Sequence, residues 1–255
     1  MSTVGRVVFV LIGCCSMAAA AQPAGVQQGE SSESPRVAES PRTASAEFKM
    51  GGYKPMINRE STVRGNPYDQ TFGASAMLLA ELEVDKMLYQ GIGLVSVGVS
   101  VGYAEKYAAA FLVQSDPNAP PVRSNDNTSL KVVPIKLLAI YKFDYLALHR
   151  NIPFTPYVKV GLVFEPWWST KSGNIQYPVS GGRSAGARWG YGFTGGLALL
   201  LDFFEPRLAK DFDTDLGVNH TYLFAEYTYE NVNSFGRAGI DLSSRHWMFG
   251  LAFEF

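Results

Sequence analysis

The last ten residues of this chain, HWMFGLAFEF, restrict its fold more than any other stretch. Trp247, Phe249, Leu251, Phe253 and Phe255 are all large and apolar, while His246, Met248, Gly250, Ala252 and Glu254 stand between them. Successive side chains of a β-strand point to opposite faces, so this segment reads as a strand with one unbroken apolar face and one small or polar face. Five apolar positions in a row need a wide apolar surrounding, either a second sheet or lipid.

The same period-two alternation recurs in seven other segments. Val95, Val97, Val99, Val101 and Tyr103 alternate with Ser96, Gly98, Ser100 and Gly102. Leu78, Leu82 and Val84 alternate with Glu81, Glu83 and Asp85, and Ile135, Leu137 and Tyr141 alternate with Lys136 and Lys142. Val158, Val160 and Leu162 alternate with Lys159 and Gly161; Trp189, Tyr191 and Phe193 with Arg188, Gly190 and Gly192; Leu223 and Tyr227 with Glu226 and Glu230. The remaining segment runs from Ala46 to Tyr53, with Phe48 and Met50 on one face.

Eight strands are therefore expected, an even number. The connections sort by parity. Those near 54–72, 105–128, 168–185 and 232–243 are long, whereas those near 86–91 and 146–152 are short. A barrel with both termini on one side produces this rhythm, and a soluble sandwich has no reason to. The third even connection, FFEPRLAKDFDTDLGVN, is long. Pro206 suits a first helical position, Gly217 a C′ position, and Leu208, Phe212 and Leu216 share a face, so a short helix is expected near 206–216. The expected fold is all-β: an eight-stranded antiparallel up-and-down transmembrane barrel with one short periplasmic helix. Tyr53, Tyr103, Trp167, Trp168, Trp189 and Tyr229 are expected in an outer aromatic girdle, and Tyr89, Tyr145, Phe154, Phe203, Tyr222 and Phe255 in an inner one.

The segments before the barrel read differently. Residues 1–21 resemble a signal peptide, with Arg6, an apolar VVFVLIG stretch and small residues from Ala18 to Ala21. Leu11-Ile12-Gly13-Cys14 also fits a lipobox, so lipoprotein cleavage at Cys14 stays open beside cleavage near Ala21. Residues 22–43 are rich in Ser, Glu, Gln, Pro and Ala and read as a disordered linker. The barrel is expected over 44–255. A formal net charge of -1 argues against a nucleic-acid partner. No apolar run is long enough for a transmembrane helix, but strands that alternate escape that test.

An eight-stranded barrel has an interior just wide enough to be filled by side chains. Glu81, Glu83, Asp85, Lys136, Lys142, Lys159, Arg188, Asp202, Glu226 and Glu230 are expected there. Both signs are represented, and in so narrow a space they are expected to pair. A narrow channel through the same interior is the competing possibility. No catalytic, cofactor-binding or metal site is expected. Ser243, Ser244, His246 and Asp241 lie close in sequence, but catalytic triads are usually assembled from separate segments. A lipid-modifying enzyme would have to work at that rim, around His246. A soluble lipocalin-like barrel would turn the faces over, with the apolar stripes inside. Asp211, Asp213, Asp215 and Gly217 suggest a calcium loop, yet Leu216 and Tyr222 occupy the positions that would need glycine and glutamate.

The carboxyl end resembles the signal read by the barrel-assembly machinery, with Gly250, Phe253 and Phe255 matching and Met248 in place of the usual polar residue. The segments VPIKLLAIYKFDYL, IPFTPYVKVGL and GVNHTYLFAEY resemble an eight-stranded outer-membrane barrel family of myxobacteria and related deltaproteobacteria. That resemblance covers roughly 45–255. It implies the outer membrane of a Gram-negative bacterium, with lipid and the assembly machinery as partners, a monomer with periplasmic termini, and no established activity.

Overall fold

The computed structural model describes residues 42–59, 66–111, 123–150, 152–171, 174–175, 184–204 and 216–255. Its strands are β1 (Ala44–Tyr53), β2 (Met77–Gln90), β3 (Leu94–Phe111), β4 (Arg123–Val132), β5 (Ile135–Lys142), β6 (Phe154–Lys171), β7 (Asn174–Ile175), β8 (Ala185–Leu200), β9 (His220–Asn231) and β10 (Ser244–Glu254). Two short helices accompany them, α1 (Pro67–Phe72) and α2 (Tyr145–Arg150).

The strands form a closed ring. Each pairs antiparallel with its neighbours in sequence, and β1 closes the ring against β10 in the register Ser45↔Glu254 to Gly51↔Met248. β4 and β5 are two halves of one wall strand, both lying between β3 and β6. They part at Val133-Pro134, where the proline has no N–H to give the ladder. β7 only extends the end of β6. Among the described residues the wall thus has eight strands, in the up-and-down order expected from alternation.

The polarity of this ring is inverted relative to a soluble protein. On β2, Leu78, Leu82 and Val84 are 66%, 63% and 62% exposed, while Glu81 and Glu83 between them are each 1% exposed. On β10, Trp247 and Phe249 are exposed and His246 and Met248 buried. On β3 the exposed stripe runs from Val95 to Tyr103. At roughly 3.3 Å per residue and a tilt of about 40° it rises about 20 Å, close to the apolar band of a membrane barrel. An apolar exterior of that height with ionisable side chains inside is stable in lipid and not in water. The chain is a transmembrane β-barrel; no helix among the described residues is long and apolar enough to cross a membrane.

Both termini of the barrel sit at one rim. There Phe255 N–H donates to Ala44 O at 2.8 Å and Ala44 N–H donates to Phe255 O at 3.0 Å. The turn Gly91–Gly93, helix α2 and the described ends of the β8–β9 connection, 201–204 and 216–219, lie at this rim too. At the opposite rim the sheet continues beyond the exposed stripe. Ala104–Ala109 pairs with Asn127–Val132, and Thr128–Val132 pairs with Trp167–Lys171. Much of the expected loop 105–128 is therefore a protruding sheet. Its polar sequence hides the strand from an alternation test. The expected helix near 206–216 falls outside the described residues except at its end, where Leu216 is helical and Gly217 follows with φ of 69°, a left-handed value that suits glycine.

Candidate functional site

The interior of the barrel holds a ladder of ion pairs with an apolar cluster toward each rim. Lys159 on β6 reaches across the ring to Glu47 on β1 at 2.6 Å, and also contacts Glu83 at 2.5 Å and Glu226 at 3.6 Å. Lys49 contacts Glu83 at 2.6 Å, Glu226 at 2.9 Å and Glu81 at 3.7 Å. Lys136 bridges Glu81 at 2.7 Å and Glu230 at 2.6 Å. Lys142 holds Glu254 at 2.8 Å, and Arg42 joins Glu254 to Asp144 at 3.2 Å and 2.7 Å. All four lysines are buried. Burying an ion costs several kcal/mol, and only close, multiple pairing offsets that cost.

Hydroxyl groups complete the network. The single Tyr53 hydroxyl proton lies within reach of Glu165 at 3.1 Å and of Leu242 O at 2.9 Å, Tyr157 donates to Glu226 at 3.0 Å, and Ser100 donates to Glu81 at 3.2 Å. Small residues make room for these long side chains. A Cβ on Gly98 would fall 1.8 Å from Asp85 Oδ1, and one on Gly196 would fall 2.3 Å from the Tyr157 ring.

Apolar clusters lie toward both ends of the ladder. Toward the rim opposite the termini, Tyr53, Met77, Leu79, Leu130, Val163, Leu242 and Met248 pack together, with Tyr68 brought in by α1. Pro67 opens that helix, Asn58 Oδ1 accepts from Tyr68 N–H at 2.9 Å, and Gly73 ends it with φ of 80°. Toward the terminal rim, Tyr157, Leu200, Tyr222, Phe224 and Ala252 pack with Ala147 of α2.

The structure brings Glu81, Glu83, Lys136, Lys142, Lys159 and Glu226 together inside the ring. Arg188 is different. Its position in the alternation is inward, but it lies near the end of its strand and donates to Ala238 O at 2.9 Å, so it braces the 232–243 loop outside the ladder. Asp202 also leaves the interior; it pairs with His220 Nδ1 at 2.8 Å and caps Thr221 N–H at the terminal rim. Tyr53 and Tyr222 are buried inside, not girdle residues. An aromatic ring with a polar tip at a strand end suits either side of the wall, and here the Tyr53 hydroxyl finds Glu165 inside. Sequence reading missed Glu47, Lys49, Glu165 and Glu254. Their inward parity was available from the alternation of β1, β6 and β10.

Ser244, Glu230 and His246 are not arranged as a catalytic triad. Ser244 Oγ donates to Glu230 at 3.1 Å and lies 3.1 Å from His246 Nδ1, so the serine bridges acid and histidine instead of the histidine bridging the other two. All three are buried in the interior. Ser243 is tied into its loop through Val232 N–H and Asp241. Glu47, Glu83 and Asp85 bring ligand oxygens within 4.8 Å of one another, the geometry of a metal cluster. The ammonium of Lys159 already occupies the cation position between Glu47 and Glu83. The Asp211–Asp215 segment lies outside the described residues.

Gly250 has a packing role of its own, since a Cβ there would fall 2.3 Å from Phe48 O. Phe253 and Phe255 lie on the outward face, Phe255 37% exposed at the rim.

No family model and no curated protein matches the chain. Solved structures are similar to it at low identity. The attachment invasion locus protein Ail of Yersinia pestis, in complex with the heparin analogue sucrose octasulfate, is similar with a TM-score of 0.41 and 10% identity, over 84% of this chain and 97% of that one. Neisserial surface protein A gives 0.46 and 15%, over 84% and 97%. The N-terminal β-barrel domain of OprF of Pseudomonas aeruginosa gives 0.36 and 15%, over 84% and 100%.

Proposed function

We propose that this protein is a monomeric, non-enzymatic barrel of a Gram-negative outer membrane, with periplasmic termini, a closed lumen, and a surface role carried by the rim opposite the termini. The observation that carries this reading is the filled interior. Lys159, Lys49 and Lys136 occupy it from wall to wall, and apolar clusters lie above and below. Such an interior leaves the loops and the protruding sheet of β3, β4 and β6 as the surfaces free to meet other molecules. Long loops outside and short turns inside are the habit of such barrels, and the short Gly91–Gly93 turn at the terminal rim supports periplasmic termini. The resemblance to a myxobacterial barrel family supports the same location.

In this reading Gly250, Phe253 and Phe255 are the handle for the barrel-assembly machinery, and membrane lipid is the constant partner of the outward face. Outer-membrane fractionation with heat-modifiable migration on unboiled gels tests the location, and a soluble periplasmic protein contradicts it. Planar-bilayer recordings test the lumen. Silent bilayers are expected, and discrete conductance steps favour the narrow channel instead.

A further inference from the structure

The register of the closing seam places a set of cations at one height on the outside of the wall. On β10 the outward stripe runs Leu251, Phe249, Trp247 and then Arg245, and all four are exposed. On β9, Tyr227 lies opposite Trp247 and Tyr229 opposite Arg245. The Arg245 guanidinium stands 5.0 Å from the Tyr229 ring, and Tyr227 and Trp247 pack at 5.2 Å. On the other side, β1 meets β10 with Gly51 opposite Met248, and Met56 N–H donates to Ser243 O at 2.9 Å. The same register carries Lys54 to the place opposite Arg245. Two cations thus sit side by side, one step beyond the aromatic row that ends the apolar belt.

A third cation closes the set. After Lys54 the chain makes a short 3-10 turn, Ile57–Arg59, stitched by Arg59 N–H to Met56 O at 2.9 Å and anchored through Asn58 to the start of α1. Lys54, Pro55, Met56, Asn58, Arg59 and Arg245 line a pocket of about 280 Å³. Asp69 is the acid beside it, 2.8 Å from Lys54. Among the described residues neither Arg59 nor Arg245 has a carboxylate within ion-pair distance.

We propose that this pocket binds the phosphate of a membrane lipid headgroup. The inference rests on the transmembrane reading, because it is the apolar belt that fixes the height of Arg245. Among the described residues, three cations face one carboxylate, which leaves the pocket short of negative charge. Guanidinium groups match phosphate oxygens with paired N–H donors. Basic pockets at the edge of a membrane-spanning wall are suited to headgroups, and aromatic rings such as Trp247 and Tyr227 favour the layer just beneath. The lipid's acyl chains would lie against the belt that Trp247, Phe249 and Leu251 already offer.

The test is lipid retention by native mass spectrometry of the full chain in detergent micelles doped with phosphatidic acid or with phosphatidylcholine of the same chain length. The wild-type chain is expected to retain phosphatidic acid in preference. The Arg59→Gln/Arg245→Gln variant is expected to lose at least about tenfold of that retention, while Lys171→Gln, whose side chain is 46% exposed and paired with Asp126, keeps it. Excess inorganic phosphate is expected to leave the lipid bound. Full displacement by phosphate means a free-anion site and overturns the lipid assignment. Unchanged retention in the double variant, with a heat-modifiable barrel still formed, overturns the site but not the fold. A wild-type chain that forms no heat-modifiable barrel in micelles overturns the transmembrane reading and the site with it.

Discussion

Replacing Lys159 by methionine removes the cation that spans the barrel, and the structure sets the size of the effect. Its ammonium lies 2.6 Å from Glu47 with the side chain 2% exposed. At that distance and an effective dielectric constant of about 20, one contact gains on the order of 6 kcal/mol before desolvation is counted. The desolvation cost of the lysine disappears in the variant, but that of the carboxylates stays. Glu83 and Glu226 keep Lys49, at 2.6 Å and 2.9 Å. Glu47 keeps no ion pair among the described residues. Stripping one partner from a buried pair costs about 3–5 kcal/mol, and that is the loss expected for Lys159→Met. Urea unfolding of the folded barrel in vesicles, followed by tryptophan fluorescence, measures it. Adding Glu47→Gln is expected to restore roughly half, because it removes the orphaned charge. Lys171→Met, at an exposed pair, is expected to change stability by under about 1 kcal/mol. A Lys159→Met barrel within about 0.5 kcal/mol of wild type contradicts the pairing energetics, since it means that water screens the interior.

Three further outcomes follow from the same packing. Phe249→Arg puts a charge in the middle of the apolar belt and is expected to cost about 2–4 kcal/mol in the same unfolding assay. Gly196→Leu drives a side chain into the Tyr157 ring, which a Cβ alone would approach to 2.3 Å, and is expected to cost about 1–3 kcal/mol, with the gel-shift temperature lowered. Phe255→Ala is expected to reduce the yield of assembled barrel in cells more than the stability of the refolded barrel. The Phe255 side chain is 37% exposed, and the seam at this residue is held by its backbone groups. Equal yields in cells contradict the assembly role.

The wall of this protein is legible in its sequence because lipid and interior impose opposite chemistries on adjacent residues. Leu82 and Glu83 differ by one position and by the full width of the wall. Where that contrast weakens, the reading weakens. β1 carries Gly51 and Gly52 and only two large apolar residues on its outward face, so its sequence gives little sign that Glu47 and Lys49 belong to the ladder. The β4 segment NDNTSLKV is polar on its outward face because it lies above the apolar belt, and its inward face carries large apolar side chains only at Leu130 and Val132. It therefore looks like a loop, although it pairs with β3 and β6. Tyr53 and Tyr222 show the limit for amphipathic rings, whose direction is decided by partners far along the chain: Glu165 for one and the Lys142 ammonium, 4.6 Å from the ring, for the other. Arg188 has inward parity, yet the loop carbonyl at Ala238 draws it out of the ladder. Parity gives the face of a residue but not its height.

The fold requires the charged face of each strand to lie inside and the apolar face to meet lipid. Spin labels placed singly at Phe249→Cys and Thr228→Cys, in a chain carrying Cys14→Ser and Cys15→Ser and folded into vesicles, test that directly. The label at 249 is expected to collide freely with oxygen dissolved in the bilayer and to be shielded from a water-soluble nickel complex. The label at 228, on the buried face of β9, is expected to be shielded from both. A label at 249 that meets the nickel complex, or one at 228 that meets bilayer oxygen, would mean that the faces are the other way round.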